Sequence, residues 1–283
     1  MAHASTNVRS SLFGIAIAGV VASFGCGSGE GASNDSLELG LEAEGSRGGK
    51  AGGFTIHATI SADPNSQPIS PNTLVEVDSR DGTQKVKGDI GRTPEQRSLA
   101  WDPVSRFLFG VESTGVGPVY GGVVARIDPA TGEATVLVRY TEQTINSIAF
   151  SPGGQMYAVV HPRTLAVVDL SSGGLDEIGQ IPGGLWIHSI EFATDGTLFA
   201  LLLDFTPDLV QTILTVDPET AAVTSSLTLQ PEYALGDIAV APDGSIYATN
   251  YSWWLIRVDP SSGEQVPVGL GDQGALSGLA VEY

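Results

Sequence analysis

From residue 53 to the end of the chain, apolar and polar residues alternate in short runs separated by turn-forming residues. A period of two over so few residues marks half-buried strands, and no helical period competes with it. Five of these runs end in a hydrophobic residue followed by aspartate: Val77-Asp78, Ile127-Asp128, Val168-Asp169, Val216-Asp217 and Val258-Asp259. Four residues past each aspartate stand Gly82, Gly132, Gly173, Ala221 and Gly263. The physical reading is a tight hairpin. The aspartate side chain accepts backbone N–H groups ahead of it, Pro129, Pro218 and Pro260 preset φ at the first turn position, and glycine takes the left-handed position. Ala221 breaks that rule, so its hairpin is expected to be strained or closed differently.

A second column follows the first. Leu99-Ala100-Trp101, Ile148-Ala149-Phe150, Ile190-Glu191-Phe192, Ile238-Ala239-Val240 and Leu279-Ala280-Val281 read as short strands. Four of them run through turns at 102–105, 151–154, 193–196 and 241–244 into further strands: Phe107-Leu108-Phe109, Met156-Tyr157-Ala158, Leu198-Phe199-Ala200 and Ile246-Tyr247-Ala248. Successive aspartates of the first column lie 50, 41, 48 and 42 residues apart. Four short strands per forty-odd residues is the signature of a β-propeller blade. Four complete sets are present. The chain ends on a lone innermost strand near Leu279, and it begins with strands that lack that innermost member. Residues 54–60 alternate as a half-buried strand, and 55–59 align with 245–249. The prediction is therefore an all-β single propeller of five four-stranded blades, closed by N-terminal strands joining a C-terminal strand, which leaves no free edge between first and last blades.

The elements Ile238–Ala248 and Val216–Thr220 resemble the "A-V-x-P-D-G-x-[LI]-Y-A" and "V-[ID]-x-x-T-G" patterns of NHL and YVTN propeller repeats. The resemblance covers about residues 53–283. It implies the fold and says little about activity, because such propellers include enzymes, binding platforms and structural modules.

The start of the chain changes the picture. Residues 12–25 are apolar, too short to span a bilayer comfortably but suited to the core of a secretory signal. The sole cysteine, Cys26, follows directly, and Gly25 precedes it. This resembles a bacterial lipoprotein signal in which Cys26 becomes the lipidated N-terminus, although Ser23 and Phe24 depart from that motif. The alternative is ordinary secretion with cleavage near Ala22. Residues 27–52 are Gly, Ser, Ala and acidic residues, too poor in large apolar side chains to bury a core, and are expected to form a flexible tether. The expected organisation is thus a signal at 1–26, a tether at 27–52 and a propeller at 53–283. The expected address is the cell envelope, as an outer-membrane or surface lipoprotein, with a periplasmic or secreted protein as the alternative.

Charge and composition mainly exclude. Thirteen Lys+Arg against 32 Asp+Glu give a net charge of −19. Such a surface disfavours nucleic acid and anionic lipid headgroups, leaving a lipid anchor as the only membrane contact. One cysteine allows no disulfide framework and no cysteine zinc site. There is no calcium-loop pattern, no phosphate-cradling glycine loop and no Gly-x-Ser-x-Gly. Neither a cofactor nor a resident metal is expected, and the chain is expected to be a monomer.

Candidate chemistry then falls on one rim. The regular turns occupy the other rim and read as scaffold, whereas irregular loops on a rigid frame commonly carry function. These loops lie at 112–121, 161–163, 204–211 and 250–253, and at 91–97, 141–146, 182–188, 231–236 and 271–276. Just before each innermost strand, at the expected channel mouth, stand Arg97, Asn146, His188, Gly236 and Ser277. Glu191 holds a column otherwise filled by alanine, three residues from His188, with His161 in a nearby loop. Together these could bind a cation or form an acid–base pair; a Glu191 satisfied by backbone or water is the plainer reading. Trp186, Tyr233, Tyr251 and Trp253, with Tyr120, could stack on sugars or clamp a protein, or fold over the loops as minor core. Trp101 and Trp254 read as core. His57 reads either as a metal or acid–base histidine or, preferably, as an aromatic-like ring filling a blade interface. The function expected is a binding or interaction module for a protein or glycan. The alternative is a metal-dependent lactonase- or lyase-type propeller with its site at the channel.

Overall fold

The computed structural model describes residues 54–60, 72–91, 96–114, 121–183, 186–203, 210–230, 232–250, 254–270 and 274–283. The leader, Cys26 and the tether lie outside them. So do Tyr120, Tyr251 and Trp253. The described residues fall in the second of two compact units, 48–283.

The strands appear in blade order. The chain begins with β1 (Thr55–Ile60), β2 (Thr73–Val77) and β3 (Gln84–Asp89). The next blade is β4 (Gln96–Asp102), β5 (Phe107–Thr114), β6 (Gly121–Ile127) and β7 (Ala134–Tyr140). It is followed by β8 (Ile145–Phe150), β9 (Met156–Val160), β10 (Thr164–Asp169) and β11 (Gly174–Gln180). Then come β12 (Trp186–Phe192), β13 (Leu198–Leu203), β14 (Gln211–Val216) and β15 (Val223–Thr228). The last set is β16 (Leu235–Val240), β17 (Ile246–Asn250), β18 (Trp254–Val258) and β19 (Gln265–Leu270), and β20 (Leu276–Glu282) ends the chain. They pair into five four-stranded antiparallel sheets, with β20 joining β1, β2 and β3 to complete the first blade. Each innermost strand touches the next around the ring, including β20 against both β4 and β16. The molecule is a five-bladed β-propeller with the mixed closure expected.

Its core lies between blades. Five buried apolar clusters fill the five interfaces, one each. The alternation puts Ile and Leu of each innermost strand on one face and the alanine column on the other. Ala100, Ala149, Ala239 and Ala280 are fully buried against the following blade. Burying one Ile or Leu side chain contributes about 1.5–3 kcal/mol, so these interfaces dominate the favourable side of folding.

The aspartate hairpins close as the sequence implies. Oδ1 of Asp78, Asp128, Asp169, Asp217 and Asp259 accepts the N–H two residues ahead, at 2.7–2.9 Å. Gly82, Gly132, Gly173 and Gly263 have φ between 73° and 79°. Ala221 takes the same left-handed backbone, φ 59°, and its N–H reaches the Asp217 carbonyl at 2.9 Å as the glycines do. That conformation costs a non-glycine residue roughly 1–2 kcal/mol. The buried Ala221 methyl, packed in the interface below it, offsets part of this cost.

Candidate functional site

Near the loop-rich rim, the pairing of every innermost strand with its neighbour slips. Gln96 pairs with Glu112 and Ser98 with Val111, which leaves Arg97 unopposed. Asn146 and His188 are left over in the same way. Gly236-Asp237 face the single residue Thr249, and Ser277-Gly278 face Thr59. These bulges fall on the residues expected at the channel mouth. Strands continue through them because backbone pairing persists where the apolar alternation stops. Loop boundaries are corrected as a result: Arg97, Asn146, Trp186, His188, Gly236 and Leu276 belong to β4, β8, β12, β12, β16 and β20 rather than to loops, and β5 runs on to Thr114 instead of ending before Glu112.

At and just after the bulges lie Ser98, Ser147, Ser189, Asp237 and Gly278, which sequence reasoning did not recognise as one column. Each of the first four accepts a backbone N–H from the next blade through its side chain. Ser98 Oγ takes Ile148 at 3.5 Å, Ser147 Oγ takes Ile190 at 3.0 Å and Ser189 Oγ takes Ile238 at 3.2 Å. Asp237 Oδ2 takes Leu279 at 2.8 Å. Gly278 has no side chain to continue the series, and a Cβ there would lie 3.2 Å from the Leu99 nitrogen. Asp237 Oδ2 closes that gap itself, accepting the Leu99 N–H at 3.3 Å, while Oδ1 accepts the Ser189 hydroxyl at 2.5 Å. One carboxylate on the fifth blade therefore ties the first, second and fourth. The available signal was the recurrence of serine one residue before Leu99, Ile148 and Ile190.

Burial raises the Asp237 pKa to about 7, against its hydrogen bonds from Ser189, Leu279, Leu99 and Ile238, which pull it down. Glu191 sits two residues beyond Ser189 on β12, in the alanine column. It is 7% exposed; Oε1 accepts the Phe192 N–H at 3.1 Å, and Oε2 is buried without a hydrogen-bond partner. Burial pushes its pKa well above the usual carboxylate range, and the Asp237 charge pushes it further. Its charge also acts on Tyr283, whose phenol is pushed up to about 12, chiefly by burial.

On the rim, the rings of His161, Trp186 and His188 come together. His161 meets Trp186 edge-on, centroids 5.1 Å apart and planes at 88°; Trp186 and His188 lie 6.4 Å apart at 32°. His161 is exposed, and the other two are half-buried. Asn146 lies on the neighbouring bulge and donates Nδ2–H to the Ile187 carbonyl at 3.1 Å. Arg163 braces the adjoining turns through the Gly183 carbonyl at 2.8 Å and Gln180 Oε1 at 3.3 Å. Tyr233 is half-buried against the fourth interface and serves as core edge. Trp101 is buried, and Trp254 packs half-buried against that same fourth interface, as expected. Glu191 lies further along β12 than the ring cluster. Among the described residues no group of three His, Cys, Asp or Glu side chains is placed to hold a metal ion.

Fold and site together define a five-bladed β-propeller whose channel wall is cross-tied by its own polar residues and whose irregular rim carries an aromatic–imidazole patch. No protein-family model and no curated protein matches the chain. Among solved structures it is similar to a protein of unknown function from Bacteroides thetaiotaomicron, at 12% identity over 81% of this chain and 76% of that one, with a TM-score of 0.49. A second such protein, from Bacteroides caccae, aligns at 12% identity over 75% and 71%, TM-score 0.43. Hydrazine synthase from Kuenenia stuttgartiensis aligns at 16% identity over 72% of this chain and 62% of its own, TM-score 0.44. Likeness at this level concerns chain path and carries nothing about activity.

Proposed function

We propose that this protein is an extracytoplasmic binding module of the NHL/YVTN-like propeller type, anchored at the cell envelope through Cys26, which takes a protein or glycan on its irregular rim. The observation that carries this reading is the His161–Trp186–His188 patch. His188 stands on a strand bulge, Trp186 opens the same strand and His161 lies in the short turn between β9 and β10, so the rings are held without losing much rotamer freedom on binding. A half-exposed indole flanked by planar polar side chains offers a stacking face with hydrogen-bonding edges. The channel, by contrast, is engaged in its own cross-blade bonds. The metal-dependent reading needs His161, His188 and Glu191 to act together, and nothing in their placement favours it.

Titration of the intact protein with envelope polysaccharide fragments, followed by tryptophan fluorescence and calorimetry, tests the rim. Trp186→Ala is expected to weaken binding at least tenfold while leaving the circular dichroism spectrum unchanged. If binding is found and Trp186→Ala leaves it intact, the patch is not the site. The anchor has a separate test. Cys26→Ser is expected to move the protein from the membrane fraction to the soluble one, and an unchanged distribution would refute lipidation at that residue.

A further inference from the structure

β1 is paired on one side with a strand from the chain's start, β2, and on the other with the last strand, β20. The ring therefore closes at this seam, and one residue in it differs in kind from its counterparts. At the position opposite the alanine column, the other four blades carry Phe109, Tyr157, Phe199 and Tyr247; β1 carries His57. His57 is 2% exposed and stacks on Trp101 of the next blade, centroids 6.3 Å apart and planes at 16°. Its Nε2 lies 2.9 Å from Oε2 of Glu282, on the closing strand β20.

We propose that His57 and Glu282 form a proton-operated clasp: the neutral imidazole holds the first and last strands together, and its protonation loosens them. The chemistry follows from which nitrogen is committed. A bond to a carboxylate makes Nε2 the proton-bearing atom of the neutral ring and leaves Nδ1 as an acceptor. Nδ1 is buried without a partner, and so is the Nε1–H donor of Trp101 in the same stack. Protonation places a second N–H donor there, with no protein acceptor for either, and a buried donor left unpaired is costly. The charged groups around the ring do not reverse this. Glu282 favours the imidazolium, and Glu76, opposite His57 on β2, does so weakly. Lys87 opposes it and is itself paired with Glu76 at 3.1 Å. Arg106, in the turn after β4, lies 3.7 Å from the other Glu282 oxygen and draws on the same carboxylate. Burial outweighs them all and lowers the His57 pKa below its ordinary 6.5. For a folded value below the unfolded one, the stabilisation is complete above the unfolded pKa and is lost as pH falls through the folded value.

Amide hydrogen exchange on the intact protein between pH 8 and pH 5, corrected for intrinsic rates, reads the seam directly. Protection in β1 and β20 is expected to fall by up to about tenfold for each pH unit between the unfolded pKa of about 6.5 and the lower folded value of His57, and to level off below it, relative to β8 and β9. His57→Phe restores the ring type of the other blades and is expected to abolish the fall. Glu282→Gln keeps a hydrogen-bond acceptor but removes the charge that favours the imidazolium, so the fall is expected to extend to lower pH before it levels off. The clasp is overturned if β1 and β20 follow β8 and β9 at every pH, or if either variant reproduces the wild-type profile.

Discussion

Asp237→Ala is expected to cost about 3–5 kcal/mol, a large part of the roughly 5–15 kcal/mol that holds a domain folded. The loss comes from three donors rather than from the carboxylate itself. The N–H groups of Leu99 and Leu279 and the Ser189 hydroxyl all end on Asp237, which is 2% exposed. Each buried donor left without an acceptor costs about 1–3 kcal/mol. Asp237→Asn behaves differently. Its Oδ1 can stand where Oδ2 stood and accept both N–H groups, while Nδ2–H donates to Ser189 Oγ. Asparagine therefore keeps the two N–H bonds and leaves only the Ser189 hydroxyl donor unpaired, and is expected to cost about 1–2 kcal/mol, clearly less than alanine, in urea unfolding at pH 7. Equal losses in the two variants would mean that the cross-blade bonds are not what stabilises the ring.

The same pair separates structure from charge as pH changes. The Asp237 pKa is raised from 3.8 to about 7, and that of Glu191 is raised too. A group whose folded pKa lies above its unfolded value contributes stability that is present below the unfolded pKa and is lost as pH rises through the folded one. Asp237 should thus make stability decline from about pH 4 to pH 7, by up to about 1.4 kcal/mol per unit, and Glu191 adds a decline of the same sign. Asp237→Asn should flatten that slope. His57 acts in the opposite direction, losing stability on acidification. Global unfolding therefore shows the difference of the two effects, whereas the change that His57→Phe makes in exchange at the β1–β20 seam isolates the histidine.

The fold was legible because the repeat is written in turn chemistry. Asp78 through Asp259 and the glycines four residues on dictate hairpins by local bonds alone, and even Ala221 keeps the left-handed backbone its column demands. The site was less legible. Bulges at Arg97, Asn146 and His188 shift the two-residue period, so the sequence pattern ends each inner strand where backbone pairing continues. Trp186 consequently read as a loop residue. Ser98, Ser147 and Ser189 drew no attention because serine in a strand has no fixed meaning until the neighbouring blade supplies the N–H it accepts. Glu191 stood out in sequence by breaking the alanine column. Its partnerless Oε2 and the influence of Asp237 arise only when two blades face each other.

Gly269→Ala and Gly88→Ala are each expected to cost about 3 kcal/mol or more, although both glycines lie on outer strands far from the channel. The aspartate hairpin of each blade abuts the outermost strand of the blade before it, at one recurring position: Gly88, Val138, Gly179, Leu227 and Gly269. A Cβ on Gly269 would lie 1.7 Å from the Asp81 carbonyl oxygen, and one on Gly88 would lie 1.8 Å from that of Thr131. These are backbone atoms of hairpins already fixed by Asp78 and Asp128, so relief requires moving one blade against another. Close-packed interiors resist such overpacking by about 1–3 kcal/mol and sometimes more. Gly179 is the internal control. A Cβ there would meet Ala221 Cβ and the Thr220 oxygen at 3.5 Å, an ordinary contact, so Gly179→Ala should change stability by less than about 1 kcal/mol. In the second blade the position holds Val138, and the approaching Gly173 is the residue with no room for a side chain: its Cβ would come within 2.8 Å of Val138 Cγ1. The closeness of adjacent blades is thus met on one side or the other of each seam. Thermal unfolding of the three alanine variants decides the matter. Melting points lowered for Gly88 and Gly269 but not for Gly179 would show that backbone approach sets the spacing of the ring. Three equal melting points would show that the blades have slack there, and that the interblade apolar clusters alone fix their distance.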